Sequence, residues 1–498
     1  MPVLSGEVTA SAPDGDLVAA VPDNLATLDP ADANNTLDQS VGRLFLQGLL
    51  GFDKDMKVVP VLAEGATANA DATEFTFILR NGVKFHDGTP FDAQAVKINL
   101  ERIANPANHL KRQSLLAMLD HVEAVDPHTA KVVLKSPFGA FMNTIAHPSL
   151  AVHSPAAIEK YGKVLGRHPV GTGPFTLVSW APDTLKARRN PDYWKTGWPK
   201  VSTVTVRSVP ENGARIAMLQ TGEAHYIYPL PTEMVKAVQA NPKLDIINAP
   251  SIIPRILAMN TRKKPFDDVR VRRALNYAVD KEALIRVAWS GYADQMDSPE
   301  PPQLIFHQKG EPWPHDVAKA KQLLADAGQA DGFETELWGP NSTLAVRVMQ
   351  FIQQQFAQVG VKLTVTPLEA GLFVSRLFSV PRPEDAQVQM CYIGPSASTG
   401  DADWQFRPLF STGGFPPVMY NVSYYSNPAV DKDIQDGLLT ADPEIRAKAY
   451  ADAQRRVWED APAVWLSVDR ILDAKTKALR GAYRIPDGGL LLDDSEFV

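Results

Sequence analysis

The sequence predicts an α/β fold of two lobes that close on each other like a clamshell, with an extra α/β subdomain in the first lobe. Three observations lead there. The chain has 498 residues, 45% of them hydrophobic, and a chain that long divides its apolar residues among several cores. Residues 333–337, 344–359 and 361–367 read as strand, helix and strand, a unit that calls for parallel strands. Two further apolar strands, 252–261 and 462–469, lie on either side of that unit and place two crossings near Ile256 and Ser467. Two crossings between lobes make a hinge.

Taken in order, residues up to about Asp16 are rich in Ala, Ser, Gly and Asp and read as a flexible arm. Residues 17–21 form a short strand that Thr27-Leu28-Asp29-Pro30 closes. Asn34-Asn35-Thr36 supplies a polar loop and a cap for a helix over 37–50, in which Leu37, Val41, Leu44, Phe45 and Leu49 share one face. The densest stretch is 76–97. Residues 76–79 are a β-run, and Asn81-Gly82 turns because both residues tolerate positive φ. Residues 83–85 resume the strand, Asp87-Gly88 turns again, and Asp92 caps a helix that continues through Ile98. Residues 122–125 and 130–134 flank Asp126-Pro127 as a hairpin.

Residues 174–180 and 201–209 are strands, and 214–221 is a helix closed by Gly222. Residues 269–287 read as one amphipathic helix, 299–314 as irregular and proline-rich, and 317–328 as a helix with a glycine stop. Strand 386–393 leads into a loop over 394–404. A long helix over 443–460 precedes the return strand, and the tail from Leu472 completes the first lobe. The expected division is 1–50, 170–256 and 468–498 for lobe I, 51–169 for its inserted subdomain, and 257–467 for lobe II.

Composition narrows the function. A net charge of −7 argues against a nucleic-acid surface, which needs a basic face. No run of about 18 apolar residues is present to span a membrane as a helix. The single cysteine, Cys391 between Met390 and Tyr392, reads as a buried filler. Signatures of nucleophile elbows, zinc-binding helices and phosphate-cradling loops are missing from the sequence. The histidines lack the i, i+4 spacing that sets two imidazoles over one ion, and His86-Asp87 sits at a turn, so neither a metal nor a cofactor is expected. Gly171-Thr-Gly173 is too short to hold a phosphate and reads as a tight turn. A hydrolase would need two placed carboxylates or an activated nucleophile, which the sequence does not certify.

The loop 394–404, Gly-Pro-Ser-Ala-Ser-Thr-Gly-Asp-Ala-Asp-Trp, suits binding better than catalysis. Its small residues, Ser396 and Ser398 among them, leave backbone groups free to pair with a peptide-like ligand, and Trp404 supplies a wall. Asp401 and Asp403 are candidate acceptors for a ligand amine, or caps of a following helix.

Four blocks of sequence, in order along almost the whole chain, resemble one family. They are the 76–97 run, His168-Pro-Val-Gly-Thr-Gly-Pro174 with Asn190-Pro-Asp-Tyr-Trp194, Ala217-Met-Leu-Gln-Thr-Gly-Glu-Ala224, and Met259-Asn-Thr261 with the segment 265–278. The family is that of the large extracytoplasmic solute-binding proteins that serve ABC importers of peptides, nickel and related solutes. The resemblance implies a periplasmic-binding-protein clamshell, a non-enzymatic monomer, a periplasmic location with the export signal removed, and transmembrane permease subunits as partners. Pro106-Ala-Asn-His-Leu-Lys-Arg112, Ala146-His-Pro148, Ser154-Pro-Ala-Ala157 and Ser396-Ala-Ser-Thr-Gly400 resemble the glutathione-binding branch. A dipeptide or oligopeptide binder is the alternative.

That resemblance also implies a site. In relatives that bind ordinary peptides, the loop carries an aspartate for the ligand's α-amino group, and Ser398 stands at that position here. The change disfavours a standard peptide N-terminus, because a desolvated ammonium wants an anion. Glutathione brings two carboxylates and one ammonium, so a matching site needs about two cationic or strong donor groups and an acceptor. Arg112 in the resembling block, Arg255 on the crossing strand and Arg376 at a helix start are the candidate cations. Asn34 and Thr36, beside the cleft in the family, are candidate donors.

Overall fold

A computed structural model describes residues 15–498; the arm expected before Asp16 lies almost wholly outside the described residues. Eleven of the described strands form one continuous sheet. Its main path runs, edge to edge, through Val361–Leu368, Phe333–Pro340, Met390–Ile393, Leu244–Met259, Ala463–Thr476, Tyr226–Ile227, Asp16–Val21, Thr203–Ser208, Thr184–Arg189 and Phe175–Ala181. The two long strands in the middle are the crossings. They are antiparallel, with Arg255 opposite Ser467 and Ile256 opposite Trp465. The fold is a two-lobed α/β clamshell.

The pairing of the crossing strands is interrupted where the lobes meet. Register shifts occur between Pro250 and Pro254 and between Arg255 and Ile256. The prolines at both ends of the first gap have no N–H to give to the ladder. The residues between them turn to other partners. Ser251 Oγ donates to the carbonyl of Asp469 at 2.6 Å, and Ile252 N–H donates to the carbonyl of Pro486 at 3.0 Å.

A separate four-stranded antiparallel sheet runs in the order Ala63–Ala68, Glu74–Leu79, Thr129–Leu134 and Leu119–Asp126. Asn81-Gly82 turns with Gly82 at φ 73°. The Asp92 side chain accepts from Ala95 N–H at 2.9 Å and starts the helix Ala93–Ala104. Both features follow from local chemistry. Gly171 and Gly173 are a packed turn, as expected. A Cβ on Gly171 would lie 2.3 Å from the carbonyl oxygen of Phe45. His86 joins this turn through Nε2 to the carbonyl of Gly173 at 2.9 Å.

Four expected elements differ. Residues 83–85 are not a strand and keep only an isolated bridge between Lys84 and Pro90. The helix over 37–50 ends early, as Thr36–Gly42 with Asn35 as its cap. Beyond it the carbonyls of Leu44 and Phe45 accept from Phe175 and Gly173 N–H at 3.0 and 2.9 Å, so that turn takes the place of further helical bonds. The helix over 269–287 is two helices, Val269–Tyr277 and Lys281–Trp289. Asp280 caps the second through Ala283 N–H at 2.8 Å, while buried Lys281 reaches back to the carbonyl of Asn276. The 394–404 loop stops short, because Asp401 caps a helix over Ala402–Phe410.

Candidate functional site

A cavity of about 460 Å³ opens between the lobes, within the roughly 300–1,000 Å³ of ordinary small-molecule sites. Seven of the ten residues expected from sequence line it: Asn34, Thr36, Arg112, Arg255, Ser396, Ser398 and Trp404. A larger cavity of about 850 Å³ is lined by Met56, Met142, Leu304 and Tyr483 among others and holds none of them.

Arg112 reaches the cavity from the segment after the helix Ala93–Ala104. Its Nε donates to the carbonyl of Ala33 at 2.8 Å and its Nη2 to that of Asn34 at 3.1 Å. These bonds lock the guanidinium, and no carboxylate pairs with it among the described residues. Burial holds its pKa below the usual arginine value, with Tyr420 acting weakly the other way. A fixed, half-buried cation without an anion is a ready partner for a ligand carboxylate.

Arg255 is different. It stands on the crossing strand and donates to Asp469 Oδ2 from Nε at 2.9 Å and from Nη2 at 2.5 Å. Burial opposes its charge, but Asp469 outweighs it and raises the pKa. Nη1 makes no bond to protein among the described residues. Its side chain lies against Gly394, where a Cβ would come within 2.3 Å of Nη1.

His147 closes the pole around Arg112. Its Nδ1 accepts from Ser149 N–H at 3.1 Å, which puts the ring proton on Nε2, and Nε2 lies 3.2 Å from Ser398 Oγ. Burial, with the charges of Arg112 and Arg43, pushes the His147 pKa down to about 3, so the ring is neutral. Ser396 makes no main-chain hydrogen bond among the described residues and offers a backbone edge to a ligand. Phe373, Phe378, Trp404 and Tyr420 form the aromatic wall, with Phe378 edge-on to Tyr420 at 5.4 Å.

Three expected residues lie elsewhere. Asp401 is fully buried, caps Asp403 N–H at 2.9 Å, and receives both Nη atoms of Arg446 at 2.9 and 2.7 Å. Asp403 is taken by Arg407 at 2.9 and 2.7 Å. Their oxygens are committed to protein cations, so the expectation that they hold a ligand amine is corrected. Arg376 is exposed on the helix Ala370–Phe378, its guanidinium 5.3 Å from the Trp338 ring. The helix turns it away from the cavity that its neighbours Phe373 and Phe378 line.

The sequence reading missed His147, Gln39, Tyr420 and Asp487, all of which line the cavity. The Ala146-His-Pro148 block did signal His147. Asp487 stands in Pro486-Asp487-Gly488, which by itself signals only a turn.

The profile of bacterial extracellular solute-binding proteins, family 5 (middle region), matches residues 57–417. The glutathione-binding protein GsiB of Pectobacterium atrosepticum is 47% identical over 97% of this chain and 94% of its own length. GsiB of Salmonella typhimurium is 46% identical over the same shares. Among solved structures, HbpA2 from Haemophilus parasuis matches with a TM-score of 0.86 at 25% identity, over 97% of this chain and all of that one. The periplasmic binding protein DppA from Helicobacter pylori, in complex with the peptide STSA, matches with a TM-score of 0.79 at 25% identity, over 96% and 98%.

Proposed function

The chain belongs to the bacterial extracellular solute-binding proteins of family 5, and we propose that it captures glutathione between its lobes and delivers it to the permease subunits of an ABC importer. The carrying observation is the pole made by Arg112, His147 and Ser398. A locked arginine without a carboxylate partner among the described residues, beside a neutral imidazole and a serine hydroxyl, suits a ligand carboxylate and offers no anion to an ammonium. Relatives 46–47% identical that are named glutathione-binding proteins support the same ligand.

The proposed contacts are Arg112, Ser398 and the free Nη1 of Arg255 for carboxylates, Asn34, Thr36 and Ser396 for the peptide groups, and Trp404 as a wall. The crossing strands act as the hinge. Ligand stabilises the closed form by binding it better than the open one, and only that difference shifts the equilibrium. No covalent step is involved. The protein works as a monomer in the periplasm.

Titration calorimetry on refolded, ligand-stripped protein tests the reading, with reduced glutathione, oxidised glutathione and a dipeptide set in parallel. Saturable glutathione binding with weak dipeptide heats is the expected result. The peptide-bound relative at a TM-score of 0.79 favours a second reading, a dipeptide or oligopeptide binder. Dipeptide binding without glutathione would establish that one instead.

A further inference from the structure

One carboxylate faces the cavity without a protein cation bonded to it. Asp487 sits at the tip of a hairpin whose strands, Tyr483–Arg484 and Leu490–Leu491, pair Arg484 with Leu490. Gly488, at φ 89°, makes the turn. The hairpin is fixed at the hinge, because the carbonyl of Pro486 accepts from Ile252 N–H at 3.0 Å in the gap of the crossing strand. The Asp487 residue is only 8% exposed and lines the same cavity as Arg112 and Arg255. Its Oδ1 accepts from Gly489 N–H at 2.7 Å. Its Oδ2 has no hydrogen-bond partner among the described residues.

Three other buried acids each hold an arginine. Asp401 holds Arg446, Asp403 holds Arg407, and Asp473 holds Arg484. A buried carboxylate lacking such a partner is costly to ionise. Burial raises the Asp487 pKa to about 6 even though Arg43 and Arg484 are close enough to pull it down. The cost is relieved when a cation enters the cavity beside Oδ2.

We infer that Asp487 is the acceptor for the ligand's α-ammonium, so that the amino-acid head is gripped by the tail hairpin and not by the 394–400 loop. The inference rests on the function proposed above and gives the cleft a polarity. Arg112, His147 and Ser398 form the pole for carboxylate, and Asp487 forms the pole for ammonium. The ligand class is a peptide or amino-acid conjugate with a free α-amino group and at least one carboxylate. Blocking the amine leaves the carboxylate buried and unpaired, and the expected loss is on the order of 30-fold or more in affinity.

The test is calorimetry on the full refolded chain, wild type and Asp487→Asn, each with glutathione and N-acetylglutathione. Wild type is expected to prefer glutathione by that factor, and Asp487→Asn to lose the preference. Equal binding of both ligands by wild type, or an unchanged preference in the variant, overturns the assignment while leaving the glutathione reading intact. If wild type binds neither, the glutathione reading falls. The same comparison with a dipeptide and its N-acetyl form then decides Asp487 alone: loss of the preference in the variant upholds it, and retention overturns it.

Discussion

The main-chain N–H of Ile252 donates to the carbonyl of Pro486 at 3.0 Å. This bond joins the gap in the first crossing strand to the hairpin that carries Asp487 into the cavity. A hinge residue therefore positions an acidic group of the site through one hydrogen bond, and the following predictions begin from that group.

Ligand-free stability reports the strain on Asp487. Its pKa is raised by burial from 3.8 to about 6. A raised acid costs nothing below the unfolded value, and the cost grows as pH rises from about 4 to 6 and then stays. Asp487→Asn removes the charge and keeps the Oδ1 acceptor for Gly489. The variant is expected to gain up to about 3 kcal/mol over wild type at pH 8, from roughly two pKa units at 1.36 kcal/mol each. Below pH 4 the gain should vanish. Denaturant melts at the two pH values measure it; equal stability at pH 8 would refute the burial penalty.

Binding carries the opposite dependence. A ligand ammonium lowers the Asp487 pKa, so binding near pH 6 releases a proton. Affinity is full above about pH 6 and weakens as pH falls through that value, by at most about tenfold per unit. Of the arginines around this group, Arg112 and Arg255 line the cavity, and Arg43 and Arg484 lie close to Asp487. His147, pushed down to about 3, stays neutral. Calorimetry in buffers of different ionisation enthalpy reads the proton release directly, and none at pH 6 would contradict the assignment.

Arg112→Ala should lower glutathione affinity by about 1.5–3 kcal/mol, the worth of a charge-assisted hydrogen bond. Arg112→Lys should restore little, because a lysine cannot hold the carbonyls of Ala33 and Asn34 and a ligand carboxylate with one planar fork. Wild-type affinity in the alanine variant would remove Arg112 from the site.

Asp401 and Arg446 are predicted to matter for stability alone. They form a buried two-point pair at 2.9 and 2.7 Å, and Arg446→Met leaves Asp401 buried and unpaired. The expected loss is about 3–5 kcal/mol. Glutathione affinity of the folded fraction should not change, and a selective loss of binding would return Asp401 to the site.

Cys391 should not react with oxidised glutathione. The thiol is fully buried and burial raises its pKa, so little thiolate forms and none is reachable. Mass spectrometry after incubation would show the parent mass only; a mixed-disulfide adduct would disprove this.

The sequence by itself determined whatever short-range chemistry settles. Asn81-Gly82 turns, Asp92 caps, Gly222 ends a helix at φ 84°, and the strand–helix–strand unit over 333–368 pairs in parallel. The first three depend on residues within a few positions of one another, and the fourth on one contiguous segment. The ordered family blocks further indicated the lobes, and the Arg112 and Ser398 blocks marked one pole of the cavity. Only the tertiary structure decided which polar groups remain free. The apolar face of 37–50 reads as one helix, but the carbonyls of Leu44 and Phe45 serve a turn more than 120 residues away. Asp401 and Asp403 looked available until Arg446 and Arg407 took them. Asp487 looked like turn chemistry until the hinge held it at the cavity without a cation. Whether a carboxylate is paired depends on which distant side chain folds against it, and no local pattern contains that information.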